Sequence, residues 1–264
     1  MNKTGEEPIL SLPERNNRIL ALLQQFGSIS VAQLAERFKV SEVTIRKDLS
    51  YLEQQKKLYR THGSAILISP YISDRHVNEK EKRNVAEKRA IGAFAASLIA
   101  QDDSIIIASG TTVTFLAREI NPAGHLTAIT ASVPVTQILS QCPDVDVIQL
   151  GGITRSSSVS VVGPFAEQML RSFNCSKLFI GVDGIDTEFG LTTTNMLEAS
   201  LNGAMIDAAQ KVIVLADSSK FGRRGFSKIC DLESVDRIIT DSGVQSVYLD
   251  RLRERGIEVT VVDV

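Results

Sequence analysis

The chain has 264 residues, 43% hydrophobic and 23% charged, with no Trp and 3 Cys. That composition excludes a disordered chain, a collagen-like repeat and a disulfide scaffold. The formal net charge is −2, which argues only weakly against nucleic acid, and the charge is unevenly spread. Residues 1–90 carry 16 Lys and Arg against 11 Asp and Glu, whereas residues 91–264 carry 13 against 20. A positive N-terminal third on an acidic remainder predicts a separate basic module. Met1 to Glu7 lacks the apolar stretch of a signal peptide. No uninterrupted apolar run reaches the roughly 18 residues of a membrane span. Cys142, Cys175 and Cys230 are odd in number and far apart, matching neither a metal spacing nor a disulfide framework. A cytoplasmic protein, without a metal or cofactor and without a membrane partner, is expected.

The first segment reads as short helices. Ile19, Leu20, Leu22, Leu23 and Phe26 follow Pro13 at helical spacing, and Gly27 is the expected stop. Ser30 is expected to cap a second helix with Val31, Leu34, Ala35 and Phe38 on its apolar face. Ser41 is the expected cap of a third, in which Val43, Ile45, Leu49 and Leu52 supply apolar contacts and Thr44 and Asp48 share a side. Leu58–Arg60 and Ala65–Ile68, joined through Gly63, predict a two-stranded hairpin. A leading helix, a tightly joined helix pair and a hairpin form a winged helix-turn-helix. The second helix of the pair must carry polar and cationic groups into the major groove while its back packs on the core. Ser41, Thr44, Arg46 and Lys47 suit that outer face, and Arg60 and His62 suit the wing. The bland alternative is a three-helix bundle with a solvated charged face. The ordering of all the parts favours DNA binding.

Residues 69–89 read as a polar linker. Glu79 to Arg83 and Glu87 to Arg89 suggest a solvated helix with i,i+4 pairs. From residue 90 strands and helices alternate. Strand-like runs are 104–107, 126–129, 145–150, 178–180, 212–215, 237–239 and 258–262. Helical patterns include 113–120, 134–140, 198–209 and 247–255. Several strands are continuously apolar, as expected when both faces are covered. A doubly wound α/β domain with a mostly parallel sheet follows, with ligands expected at the carboxyl ends of strands.

Four strand ends carry candidate ligand groups. Ser109, Gly110, Thr111 and Thr112 lie between a strand and a helix, where backbone N–H groups converge on an anion. The same residues would also serve as an ordinary helix cap. Lys220, in Asp217-Ser218-Ser219-Lys220, could reach a phosphate or simply face solvent. Gly151-Gly152 would allow a close backbone approach. Asp183 could accept from sugar hydroxyls or cap a turn, and Glu198 could reach the same cleft. No Ser/His/Asp or Cys/His arrangement assembles, so catalysis is not expected.

The run Val40 to Leu49, with Tyr59 to Ala65 after it, resembles the DNA-binding domain of DeoR-family bacterial transcription regulators. The resemblance continues through Ser109 to Thr112, Gly151-Gly152, Gly181 to Ile185, Glu198-Ala199 and Asp217 to Gly222, and so spans nearly the whole chain. Lys47 departs from the family's usual Arg, and a Lys does not read guanine bidentately. The resemblance implies a winged helix-turn-helix over residues 12–68, a linker over 69–89 and a phosphosugar-sensing domain over 90–264. The sensor would be similar in fold to ribose-5-phosphate isomerase. It implies a homo-oligomeric repressor, dimer or tetramer, of carbohydrate-catabolic genes, with operator DNA and a phosphorylated sugar as partners. Ser109, Gly110, Thr111, Thr112 and Lys220 would hold the phosphate, and Gly152, Asp183 and Glu198 would complete the site. The isomerases' paired strand-end acids are reduced here to Asp183, with Ile180 at the other place, which implies binding without turnover. The alternative is an isomerase or deaminase with an accessory DNA-binding domain.

Overall fold

The computed structural model describes residues 11–26, 28–55, 57–61, 64–67 and 76–264. The chain divides into two compact units, residues 1–70 and 71–264.

The first unit contains α1 (Leu12–Phe26), β1 (Ser28–Ser30), α2 (Val31–Phe38), α3 (Glu42–Gln54), β2 (Leu58–Thr61) and β3 (Ser64–Leu67). The expected caps are present. Ser30 accepts from the Gln33 amide, with Gln33 reaching back to the Ser30 amide in a capping box, and Ser41 accepts from the Thr44 amide. Ile19, Leu23, Leu34, Ile45, Leu49, Leu52 and Leu58 are at most 1% exposed and form the core. Each contributes roughly 1.5–3 kcal/mol of burial. The hairpin gains a third strand, because β1 pairs with β3 on the side away from β2. Three residues are too few to show an alternating pattern.

Two expectations for α3 are corrected. Val43 is 59% exposed, and Asp48 is 2% exposed. The inward stripe is Ile45, Asp48, Leu49 and Leu52, spaced i, i+3, i+4, i+7, so Asp48 falls inside it and Val43 outside. Asp48 is tolerated there because Arg15 of α1 meets it with both nitrogens, Nε at 2.5 Å and Nη2 at 3.0 Å.

The second unit opens with α4 (Val77–Glu81) and α5 (Val85–Ala96), followed by β4 (Ser104–Ile107), α6 (Thr111–Glu119), β5 (Leu126–Thr130), α7 (Val133–Leu139) and β6 (Val145–Gln149). After these come β7 (Ile153–Arg155), β8 (Ser160–Val162), α8 (Pro164–Leu170), β9 (Lys177–Gly181), β10 (Gly184–Asp186), β11 (Gly190–Thr193) and α9 (Met196–Asp207). The unit ends with β12 (Val212–Leu215), β13 (Ser227–Cys230), β14 (Arg237–Asp241), α10 (Ser246–Glu254) and β15 (Glu258–Val262). The seven predicted runs form one sheet in the order β15-β14-β12-β9-β4-β5-β6. Every pairing in it is parallel. Alternate residues feed two cores: Ile105, Ile107, Phe179 and Ile213 face α5, α6 and α7, while Ile106, Leu178, Ile180 and Val214 face α8, α9 and α10.

From β4 the chain winds one way through β5 and β6, and from β9 the other way through β12, β14 and β15. The β4–β9 pair is therefore the topological switch point, where an open α/β sheet leaves a crevice beyond its carboxyl ends. The solvated-helix reading of residues 79–89 is corrected. Lys88 is only 3% exposed, and its ammonium donates to the Lys80 and Arg83 carbonyls at 2.5 and 2.6 Å.

Candidate functional site

The outer face of α3 is the candidate DNA interface. Val43, Arg46, Lys47, Ser50, Tyr51 and Gln54 line an open hollow of about 360 Å³. Ser41 and Thr44 hydroxyls lie 2.9 Å apart at the start of the helix. Arg46 and Lys47 are exposed, and Arg46 pairs with Glu42 one turn back at 2.5 Å. The five residues Ser41, Thr44, Arg46, Lys47 and Glu42 therefore belong to one helix end or its exposed side. Arg60 lies in β2 opposite Ala65. His62 lies outside the described residues.

In the second unit the switch point carries the candidate ligand cleft. Ser109, Gly110, Thr111 and Thr112 follow β4 and open α6; Gly181 ends β9, and Val182 and Asp183 follow it; Lys220 follows β12. Glu198 and Asn202 of α9 complete that wall, and Ser157 and Ser158 come from the β7–β8 turn. Gly110 holds φ +134, where a side chain is strained, and a Cβ there would meet nothing within 4 Å. That leaves the first amides of α6, which lack intrahelical acceptors, bare toward the cleft.

Seven of the eight residues expected to bind a ligand line this cleft. Gly152 does not. A Cβ there would meet the Val162 carbonyl at 2.6 Å, so the residue packs on β8 instead.

Asp183 is the electrostatic centre. It takes a hydrogen-bonded ion pair from Lys80 at 2.8 Å, and Lys220 stands at 3.9 Å. Thr193 donates to its second oxygen at 3.2 Å. Burial pushes the carboxyl up, but the two lysine charges and these hydrogen bonds outweigh it and hold Asp183 below the usual carboxylate range. For Lys220, burial outweighs the opposing charges of Asp183 and Asp217 and draws the ammonium below its ordinary value. Glu198 is held by Arg155 at 2.6 Å, with both side chains nearly buried. Both acids are thus engaged as carboxylates by cations from other elements.

Lys80, Arg155, Ser157 and Asn202 escape sequence reasoning. Lys80 sits in a run of alternating charge that reads as a solvated face. Arg155 sits in a three-residue strand with no periodic signal. Neither Cys175 nor Cys230 is an activated nucleophile: burial raises Cys175, and burial with neighbouring Asp231 pushes Cys230 up to about 12.

Comparison with known families decides the lineage. Residues 15–71 match the DeoR-like helix-turn-helix domain, and residues 83–242 match the DeoR C-terminal sensor domain. The chain belongs to the DeoR family. Among DeoR-type relatives, the uncharacterized HTH-type transcriptional regulator YulB of Bacillus subtilis is 39% identical, over 94% of this chain and 96% of its own. The HTH-type transcriptional repressor GlcR of the same species is 34% identical, over 95% and 96%. The lactose phosphotransferase system repressor of Streptococcus mutans is 36% identical, over 86% and 91%. Among solved structures, ribose 5-phosphate isomerase A of Methanocaldococcus jannaschii covers 55% of each chain at 16% identity and a TM-score of 0.36. A likeness that slight carries no weight for function.

Proposed function

We propose that this DeoR-family chain represses carbohydrate-catabolic genes and is controlled by a phosphorylated sugar held in the C-terminal cleft. One observation carries the reading: a helix with an exposed Arg46–Lys47 face shares a chain with a DeoR sensor domain whose switch-point cleft joins bare helix amides to lysines. The names of GlcR and of the lactose phosphotransferase system repressor point the same way.

In this reading Ser41, Thr44, Arg46 and Lys47 enter the major groove, and Arg60 and His62 on the wing contact backbone or minor groove. Lys47 contributes a point charge to phosphate and no bidentate guanine contact. A homo-oligomer, at least a dimer, places two such helices on half-sites spaced by helical turns. In the cleft, the amides and hydroxyls of Ser109 to Thr112 cradle the phosphate with Lys220, and Asp183 and Glu198 accept from sugar hydroxyls. No turnover is assigned, because both acids are already held as ion pairs. No helix among the described residues is long and apolar enough to cross a membrane, and we place the protein in the cytoplasm.

Fluorescence anisotropy on DNA upstream of the protein's own gene, with and without a panel of sugar phosphates, tests the reading. The expected result is tight, salt-sensitive binding that one sugar phosphate weakens about 5–150-fold, a coupling of roughly 1–3 kcal/mol. Arg46→Ala with Lys47→Ala should abolish specific binding and flatten the salt dependence. Unchanged operator affinity in that double variant would refute the placement of the reading helix. Turnover of a sugar phosphate, lost in Glu198→Gln, would move the assignment to an enzyme.

A further inference from the structure

The cleft is nearly full. Its free volume is about 60 Å³, room for a few waters at roughly 10–15 Å³ each. Clefts that hold small ligands run from about 300 to 1,000 Å³. A sugar phosphate enclosed on all sides needs more room than the cleft gives with α4 in place. The segment taken as its cover is α4 with its two ends, because Val77 and Lys80 are among the residues that line the cleft.

Away from the cleft, Arg118 of α6 pairs with Glu81 of α4 at 2.6 Å, and further contacts fasten the segment to the cleft itself. The Val77 amide donates to the Ser157 carbonyl at 2.7 Å. Lys80 pairs with Asp183 beyond β9. Asn84, in the left-handed turn between α4 and α5 at φ +49, donates from its side chain to Asp217 beyond β12 at 2.8 Å. A further tie is internal: Lys88 holds the Lys80 and Arg83 carbonyls and so keeps α4 in shape. Of the fastenings to the cleft, one joins opposite charges, the Lys80–Asp183 pair. An arriving dianion is attracted to Lys80 and Lys220 and repelled by Asp183, so it competes directly for the groups that hold the strap.

We propose that α4 is a latched strap over the effector cleft, that Lys80 is an effector-binding residue, and that the effector's phosphate takes Lys80 from Asp183 and releases the strap. The proposal rests on the effector reading above and adds its regulation. In the sequence, nine residues, 68–76, separate β3 of the DNA-reading unit from α4.

Hydrogen–deuterium exchange on the full chain tests it. Lys80→Met and Asp183→Asn each break the latch from one side. Both should raise amide exchange across residues 77–84 by at least about tenfold while amides of β9 and β12 keep their protection. Two variants guard against a local folding defect in either. In the wild type, inorganic phosphate or a hexose or pentose phosphate that calorimetry shows to bind should raise exchange in the same segment. Unchanged protection of 77–84 in both variants would overturn the latch. Increased protection on ligand binding would overturn release, since the strap would then be closing on its guest. If no phosphate compound binds, the effector reading fails, and the latch is decided by the two variants alone.

Discussion

Arg46 leaves α3 toward solvent with Glu42 one turn behind it, both about half exposed. An exposed i,i+4 pair is worth only about 0.3–0.5 kcal/mol, so phosphate or a base edge can draw the guanidinium away at little cost. On the opposite side of the same helix, Asp48 meets Arg15 with side-chain exposures of 3% and 10%. Two charges out of water hold only as a pair, so the consequence of losing one is far larger. Hydrogen bonding to Asp48 raises the Arg15 pKa above its ordinary value, against the effect of burial. Asp48→Ala should destabilise the DNA-reading unit by about 3–5 kcal/mol, because Arg15 loses its buried carboxylate. Adding Arg15→Met should restore most of that. Thermal melts followed by circular dichroism check this, and a single variant within about 1 kcal/mol of wild type would show that the pair does not hold α3 in place.

Among the elements, the parallel strands were the most legible, and for a physical reason. A strand covered on both faces is apolar at every position, so Ile105, Ile106 and Ile107 announce themselves without periodicity. The ends of those strands were legible too, because Gly110 and Asp183 are residue types that stand out after an apolar run. The three-residue strands β1, β7, β8 and β10 carry too few side chains to show a pattern. Lys80 and Lys88 were misleading for another reason: a Glu–Lys–Arg run has the same composition whether it faces water or a neighbouring helix, and tertiary packing alone decides. Packing also explains Gly92 of α5, where a Cβ would meet the backbone of α6 at 2.7 and 2.8 Å, at Leu116 N and Phe115 C. Backbone cannot give way there as a side chain would. Gly92→Ala should raise helix propensity yet destabilise the sensor unit by roughly 1–3 kcal/mol. Urea unfolding is the measurement, and a stabilised variant would mean that α5 can slide along α6.

At the scale of the molecule, one chain joins a small unit whose core is a single cluster to a larger one with a core on each side of its sheet. The charge step at residue 90 does not coincide with the division of the chain, which falls between residues 70 and 71. The basic stretch before residue 90 belongs instead to the second unit, where it holds α4 and the start of α5, and Val77 and Lys80 line the cleft. The small size of that cleft also has a bearing on time. If its cover must lift before a guest fits, the observed association rate cannot climb without limit as ligand is added. It should bend over and level off at the frequency with which the cover opens, and Lys80→Met should lift that ceiling. Stopped-flow mixing over a wide concentration range would read it, and a strictly linear rise would mean that the door already stands open. A sensor built this way has a response time set by its own lysine rather than by the abundance of the sugar.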